Sequence, residues 1–143
     1  IIKVNGEDLT EKIREHDISK LASHTSKFPQ VRNYLKTKQR DIASEKPSVL
    51  EGRDIGTVIF PNAAVKIFLT ADPGVRAERR YSQLVEKDSS NRDKFSVDKI
   101  KKDIEERDSQ DTSRTIAPLT KASDAIEIDT SHLSIDEVAE III

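Results

Sequence analysis

Cysteine, methionine and tryptophan are missing from this chain, and glycine is scarce, with four in 143 residues. Without cysteine there is no disulfide framework and no thiolate nucleophile or metal ligand, a composition that suits a reducing compartment. Aromatic residues make up 4% of the chain, too few for the stacking platforms that grip single-stranded nucleic acid. The formal net charge is −2, so no bulk positive field is available to hold a polyanion. A local arginine patch survives such an average. No apolar run approaches the ~20 residues of a membrane span, and no secretory leader is legible, so a cytoplasmic setting without membrane or nucleic-acid partners is expected. His16, His24 and His132 are scattered in polar contexts and read as surface histidines, and neither metal-ligand spacing nor a nucleophile elbow occurs. A starting Met is lacking too: the chain opens on Ile1-Ile2 and closes on Ile141-Ile142-Ile143, and it reads as a piece of something longer.

What is present is one domain's worth of chain, 35% hydrophobic and 35% charged, long enough to bury a real core. Its centre of organisation is the stretch from Val49 to Phe60. A short apolar run there stops at Gly52-Arg53-Asp54-Ile55-Gly56, and apolar residues then resume up to Pro61. Two glycines would let the backbone turn tightly, with an Arg-Asp pair placed on the turn. In open α/β sheets, ligands gather at the carboxyl ends of strands, so a charged pair just past a strand end is a site candidate. A surface turn with a solvated ion pair is the alternative.

Around that stretch the chain alternates strand and helix signals. Asn5-Gly6 between short apolar segments predicts a hairpin. The polar segment 16–28 reads as a short helix or loop. Pro29 suits a first helical position, and Val31, Leu35 and Ile42 follow at helical spacing, with Arg32, Lys36 and Arg40 forming one basic stripe. Pro47 ends that helix ahead of a strand at Val49-Leu50. A second strand is expected over 64–69, apolar enough for a parallel sheet covered on both faces. Asp72-Pro73 then predicts a capped helix to about Lys87, carrying Arg76, Arg79 and Arg80. The segment 88–94 reads as a polar, mobile loop. In the next helix, Val97, Ile100 and Ile104 form the inward stripe, and the same count continues onto Arg107, Asp111 and Arg114. An apolar face that turns into Arg, Asp, Arg without changing phase suggests charges aimed at a cleft; the alternative is a helix that leaves the core. A third, half-exposed strand is expected over 124–129, and Ser134-Ile135-Asp136-Glu137 reads as a capping box opening a last helix. Strands alternating with helices make an incomplete parallel α/β sheet.

The candidate constellation is Arg32, Arg53, Asp54, Arg76, Arg79, Arg80, Arg107, Asp111 and Arg114. Seven arginines against two aspartates is a phosphate-handling profile, because guanidinium forks match phosphate oxygens bidentately. Phosphoryl transfer needs little beyond positioning and charge neutralisation.

The motif Glu51-Gly52-Arg53-Asp54-Ile55-Gly56-Thr57-Val58-Ile59-Phe60-Pro61, followed by Val65-Lys66-Ile67-Phe68-Leu69, resembles bacterial cytidylate kinase. So does Arg107-Asp108-x-x-Asp111-x-x-Arg114 with Ala117-Pro118-Leu119. The hairpin, the Ser23 region and Phe28-Pro29-x-Val31-Arg32 match the same family in order and spacing. The resemblance implies the nucleoside monophosphate kinase (P-loop NTPase) fold and transfer of the γ-phosphoryl of ATP to CMP or dCMP, with Mg²⁺ on the phosphates and a monomeric enzyme. It implies that Ser23, Arg32 and Asp54 recognise cytosine, that Arg53 lies against the acceptor phosphate, and that Arg107 and Asp111 meet the sugar. Arg114 would meet the CMP phosphate or base, so Arg53, Arg107 and Arg114 form the catalytic set. Arg76, Arg79 and Arg80 resemble lid arginines that clamp ATP. By the same resemblance, residues 1–20 are the remainder of a CMP-binding insert, and 21–143 form the core α/β domain with a mobile lid at about 80–115.

One part of the family pattern is not matched. The phosphate loop G-x-x-x-x-G-K-[ST], whose amides and Lys cradle ATP phosphates, fits none of Gly6, Gly52, Gly56 and Gly74. The first strand, phosphate loop and first helix are therefore expected to lie outside this stretch, and the chain alone is expected not to turn over ATP. A different small-acceptor phosphotransferase, a non-catalytic nucleotide- or RNA-binding module and a purely structural domain are the other readings the residues leave open.

Overall fold

The computed structural model describes residues 1–89 and 91–143, the side chains of 14, 16, 19, 20, 23 and 91 apart. The described chain divides into two compact units, Ile1–Val49 and Leu50–Ile143.

The first unit opens on the hairpin expected at Asn5-Gly6. Strands β1 (Lys3–Val4) and β2 (Glu7–Asp8) pair antiparallel, Lys3 opposite Asp8 and Val4 opposite Glu7. Asn5 and Gly6 sit at φ 51° and 85°, the two successive positive values that a tight primed turn demands and that Asn-Gly supplies at least cost. So small a ribbon is marginal alone. It is stitched at its open end, where Ile2 N donates to Thr10 Oγ1 (2.8 Å) and Thr10 N to Asp8 Oδ1 (2.9 Å). The bond from the Thr10 amide, with the Thr10 hydroxyl beside it, holds the Asp8 carboxyl below its ordinary pKa. A short 3₁₀ turn (Lys12–Arg14) leads into α1 (His16–Thr25) and α2 (Pro29–Ser44), with Pro29 in the first turn of α2. None of the α2 residues is buried; Leu35 and Ile42 of its apolar stripe are exposed.

The second unit holds the core. Helix α3 (Pro73–Lys87) starts where the sequence says it should, with Asp72 Oδ1 accepting from Gly74 N at 2.7 Å and Val75 N at 3.3 Å. Helix α5 (Val97–Ser113) is capped by Ser96, whose side chain accepts from Lys99 N. The two helices pack through Ala77, Leu84 and Ile100, with Tyr81, Phe95, Val97 and Ile104 closing around them. Strand β3 (Ile67–Thr70) pairs parallel with β4 (Ile126–Asp129) in the register Ile67–Ile126 to Thr70–Asp129. Parallel neighbours need a long crossover, and α3 and α5 lie on it. Helix α6 (Ile135–Ile142) begins with a complete capping box: Ser134 N donates to Glu137 Oε2 (2.7 Å), and Glu137 N to Ser134 Oγ (3.2 Å).

Several expectations are corrected. No strand forms at Val49-Leu50. A strand exists only where a neighbour completes its ladder, and among the described residues the parallel sheet contains β3 and β4 alone. Both of those strands start later than expected, at 67 and 126. Lys66 joins the ladder through its carbonyl alone, which accepts from Ile126 N at 2.9 Å, while its ammonium donates to the Pro61 carbonyl and to Asp124 Oδ1 and Oδ2 (2.9 and 2.7 Å). The apolar residues after Asp54 form a π turn (Ile55–Ile59) that buries Ile59. Neither Gly52 nor Gly56 uses a positive φ there. Gly52 is favoured by close approach, since a Cβ would stand 2.9 Å from Ile55 Cγ1 and the Ile55 side chain would have to shift. Within the segment read as a loop, Asn91–Lys94 form one helical turn, α4, because polar residues close a turn locally without an apolar stripe; Ser90 lies outside the described residues. No helix among the described residues is long and apolar enough to cross a membrane.

Candidate functional site

The phase count along α5 predicts a charged continuation of the buried stripe, and that continuation is found. Ile100 is buried, and so, three turns later, is Asp111, at 6% exposure. A carboxylate out of water must be paired, and three arginines do it. Arg53 Nε lies 3.2 Å from Asp111 Oδ2, Arg114 Nη1 3.1 Å from Oδ1, and Arg107 Nε 3.9 Å from Oδ2. Arg53 reaches in from the loop after Gly52, Arg107 lies one turn back on α5, and Arg114 caps the helix end. The charge of Arg114 complements the negative end of the helix dipole there.

A second carboxylate extends the group. Asp108 Oδ1 lies 3.5 Å from Arg53 Nη1, and Asp108 Oδ2 lies 2.6 Å from Nη1 of Arg76, which is in the first turns of α3. Four guanidinium groups therefore surround two carboxylates, an excess of two positive charges. Among the described residues, Arg76 Nε and Arg107 Nε are buried and find no hydrogen-bond partner, and Asp111 Oδ2 also lacks a well-aligned donor. Buried donors left open in a positive cluster are what an anionic ligand would satisfy.

The backbone beyond α5 is tied into the same group. Arg114 Nε donates to the Ala117 carbonyl, and Leu119 N to the Asp111 carbonyl at 2.7 Å. Ala117 sits at φ 50°, a left-handed conformation that a residue with a Cβ adopts reluctantly.

Of the residues singled out by sequence, Arg53, Arg76, Arg107, Asp111 and Arg114 are brought together. Asp54 is their chain neighbour; its carbonyl accepts from Val58 N and Ile59 N and thereby holds the π turn. Arg79 points elsewhere. Its guanidinium donates to Thr130 Oγ1 (3.2 Å), the Thr130 carbonyl (2.6 Å) and the Leu133 carbonyl (3.0 Å), bracing α3 against the turn after β4. Arg80, on the same helix, is half-buried. Arg32 belongs to the first unit, where its Nη1 donates to the Ser26 carbonyl at 3.3 Å. The Ser23 side chain lies outside the described residues. Asp108 is the participant that the sequence count misses, because stepping from Arg107 to Asp111 to Arg114 passes over it. Its three-residue spacing to Asp111, which sets two carboxylates on adjoining turns, is the available signal. Among the described residues, no group of three or more acidic or histidine side chains could hold a metal ion.

The cytidylate kinase family model matches residues 1–143. Curated relatives agree with it. The cytidylate kinase of Fervidobacterium nodosum is 48% identical over 137 residues, covering 96% of this chain and 61% of the relative. That of Thermosipho melanesiensis is 47% identical, with the same two shares. A bifunctional pantoate ligase/cytidylate kinase of Synechococcus is 44% identical over 142 residues, 99% of this chain but 26% of that longer protein. The chain thus spans about three-fifths of the length of the single-function relatives it matches. An arginine-lined anion cluster and this agreement along all 143 residues lead to one conclusion: the chain belongs to the cytidylate kinase family.

Proposed function

We propose that this chain supplies the acceptor-side machinery of an enzyme that transfers the γ-phosphoryl group of ATP to CMP or dCMP. The observation that carries the reading is the cluster of Arg53, Arg76, Arg107 and Arg114 around Asp108 and Asp111, two positive charges in excess, with open donors on Arg76 and Arg107. A phosphate monoester dianion matches that excess. Fixed guanidinium groups stabilise the charge that spreads over the transferring group without reorganising as it moves.

In this reading Arg53, Arg107 and Arg114 are the catalytic set, holding the acceptor phosphate and its developing charge. Asp111 orients all three and meets the sugar with Arg107. Arg32 and Asp54, with Ser23, read the cytosine. Arg76 and Arg80 face the ATP phosphates from α3. Arg79, committed to Thr130 and Leu133, serves that role by bracing the helix that carries them. The lid spans about 80–115, and residues 1–20 belong to the CMP-binding insert. ATP anchoring through G-x-x-x-x-G-K-[ST] falls to a segment outside these 143 residues, within the nucleoside monophosphate kinase fold, and the chain alone does not turn over ATP. Mg²⁺, which neutralises ATP phosphates when bound, does not fit the carboxylates of this cluster: Asp108 and Asp111 are taken up by arginines. The enzyme is read as a cytoplasmic monomer acting on small nucleotides.

Titration calorimetry on a protein of the relatives' full length carrying this chain tests the reading. CMP and dCMP are expected to bind more tightly than UMP or AMP, and a coupled assay should show phosphorylation of both. Preference for UMP or AMP would assign the chain to a different small-acceptor phosphotransferase.

A further inference from the structure

Resting on that reading, we propose that Asp108 is a positioning residue that locks Arg53 and Arg76 side by side, setting the acceptor-side guanidinium against the donor-side one. Its two oxygens serve different elements: Oδ1 is 3.5 Å from Arg53 Nη1, and Oδ2 is 2.6 Å from Arg76 Nη1. Arg53 is thereby held along two edges, Nη1 by Asp108 and Nε by Asp111, which fixes the plane of its guanidinium. Arg76 is held through Nη1 and keeps a buried, open Nε. Two guanidinium groups drawn to one carboxylate repel each other, and the shared negative charge offsets that repulsion.

The pairing is not needed to join α3 to α5. That joint is made by Ala77, Leu84 and Ile100 with Tyr81, Val97 and Ile104 around them. Asp108 lies beyond this apolar seam, its side chain a quarter exposed, at the charged end of the stripe. Its consequence is therefore orientational. Neutralising it raises the excess charge of the cluster, so ground-state attraction for phosphate is kept or strengthened, while the fixed geometry that favours the transition state is lost. Loss of kcat without a rise in KM is the signature of such a residue.

Asp108→Asn and Asp108→Glu in a full-length protein carrying this chain provide the kinetic test. With Asn, kcat for CMP is expected to fall at least tenfold while KM for CMP stays level or drops; Glu should restore kcat to within about threefold of the parent. A kcat within twofold in the Asn variant would overturn the proposal. So would a parallel worsening of kcat and KM that Glu does not rescue. Arginine side-chain ¹⁵N spectra of the same proteins give a readout independent of turnover. Hindered rotation of the Arg53 and Arg76 guanidinium groups is expected in the parent and the Glu variant and should be lost for both in the Asn variant; unchanged signals in the Asn variant overturn the proposal. A parent protein that does not phosphorylate CMP removes the functional reading, and the spectra still decide whether Asp108 fixes the two arginines.

Discussion

Arg53 Nε meets Asp111 Oδ2 at 3.2 Å, joining the loop that follows Gly52 to the last turn of α5. Because Arg114 and Arg107 share the same carboxylate, Asp111 is the counter-charge on which three cations depend. Removing one member of a buried ion cluster costs more than the pair is worth, because the partners stay behind uncompensated. Replacing Asp111 with Ala is expected to lower stability by about 3 kcal/mol, near the bottom of the range for buried pairs, since Arg53 and Arg107 still reach water. Urea unfolding monitored by far-UV circular dichroism checks this. A loss under about 1 kcal/mol would mean the arginines relax freely into solvent.

Ala117 carries the second consequence of that group. Its φ of 50° costs a residue with a Cβ about 1–2 kcal/mol, and the conformation is imposed by the Arg114 and Leu119 hydrogen bonds on either side of it. Glycine would relieve the strain but adds about 0.4–1 kcal/mol of unfolded-state entropy. Ala117→Gly should therefore stabilise the chain by about 0.5 kcal/mol, whereas Ala117→Val should destabilise it by more than about 1 kcal/mol. Paired thermal melts decide between this and an Ala117 turn that adapts to either residue.

The hairpin, the Asp72 and Ser134 caps and the in-phase switch along α5 were legible because each is written within a few adjacent residues. Asn5-Gly6 fixes its turn by backbone sterics alone, and Asp72 satisfies amides two and three positions on. What escaped depends on partners distant in sequence. Val49-Leu50 has strand composition, yet no neighbouring strand is among the described residues to complete its ladder. Arg79 and Arg80 look alike on paper, and only the carbonyls of Thr130 and Leu133 separate them. Asp108 lies on the helix turn that was counted, but its importance comes from Arg53 and Arg76, which reach it from other elements.

Lys66 and Asp124 make stability depend on pH. The Lys66 ammonium is nearly enclosed and donates to both Asp124 oxygens, and that hydrogen bonding holds Asp124 below its ordinary pKa. A carboxyl whose pKa is lower folded than unfolded binds fewer protons in the folded state. Its contribution is present above the unfolded value of about 4 and is lost as pH falls through the folded value. Glu137 behaves likewise through its bond from the Ser134 amide. Asp124→Asn is expected to flatten the decline of stability below about pH 4 relative to the parent. Equal slopes for the two proteins would show that the pair is no tighter folded than unfolded.

Arg79 and Arg80 should separate stability from binding. Arg79 makes three hydrogen bonds across to Thr130 and Leu133, two of them to backbone carbonyls that lose this donor when it is removed. Charged hydrogen bonds contribute about 1.5–3 kcal/mol, and part of this site is exposed, so Arg79→Ala should cost about 2 kcal/mol of folding stability. Half-buried Arg80 makes no such brace among the described residues, and Arg80→Ala should leave the melting temperature within about 2 °C, the shift that about 0.5 kcal/mol produces in a chain of this size. In a full-length protein carrying the chain, the pattern for ATP reverses: Arg80→Ala raises KM for ATP about tenfold, the scale of one lost charged contact, while Arg79→Ala changes it little at temperatures where the variant is folded. If Arg79→Ala raised KM for ATP with no loss of stability, Arg79 would have to leave Thr130 and Leu133 on nucleotide binding, and its place among the ATP-clamping arginines would stand.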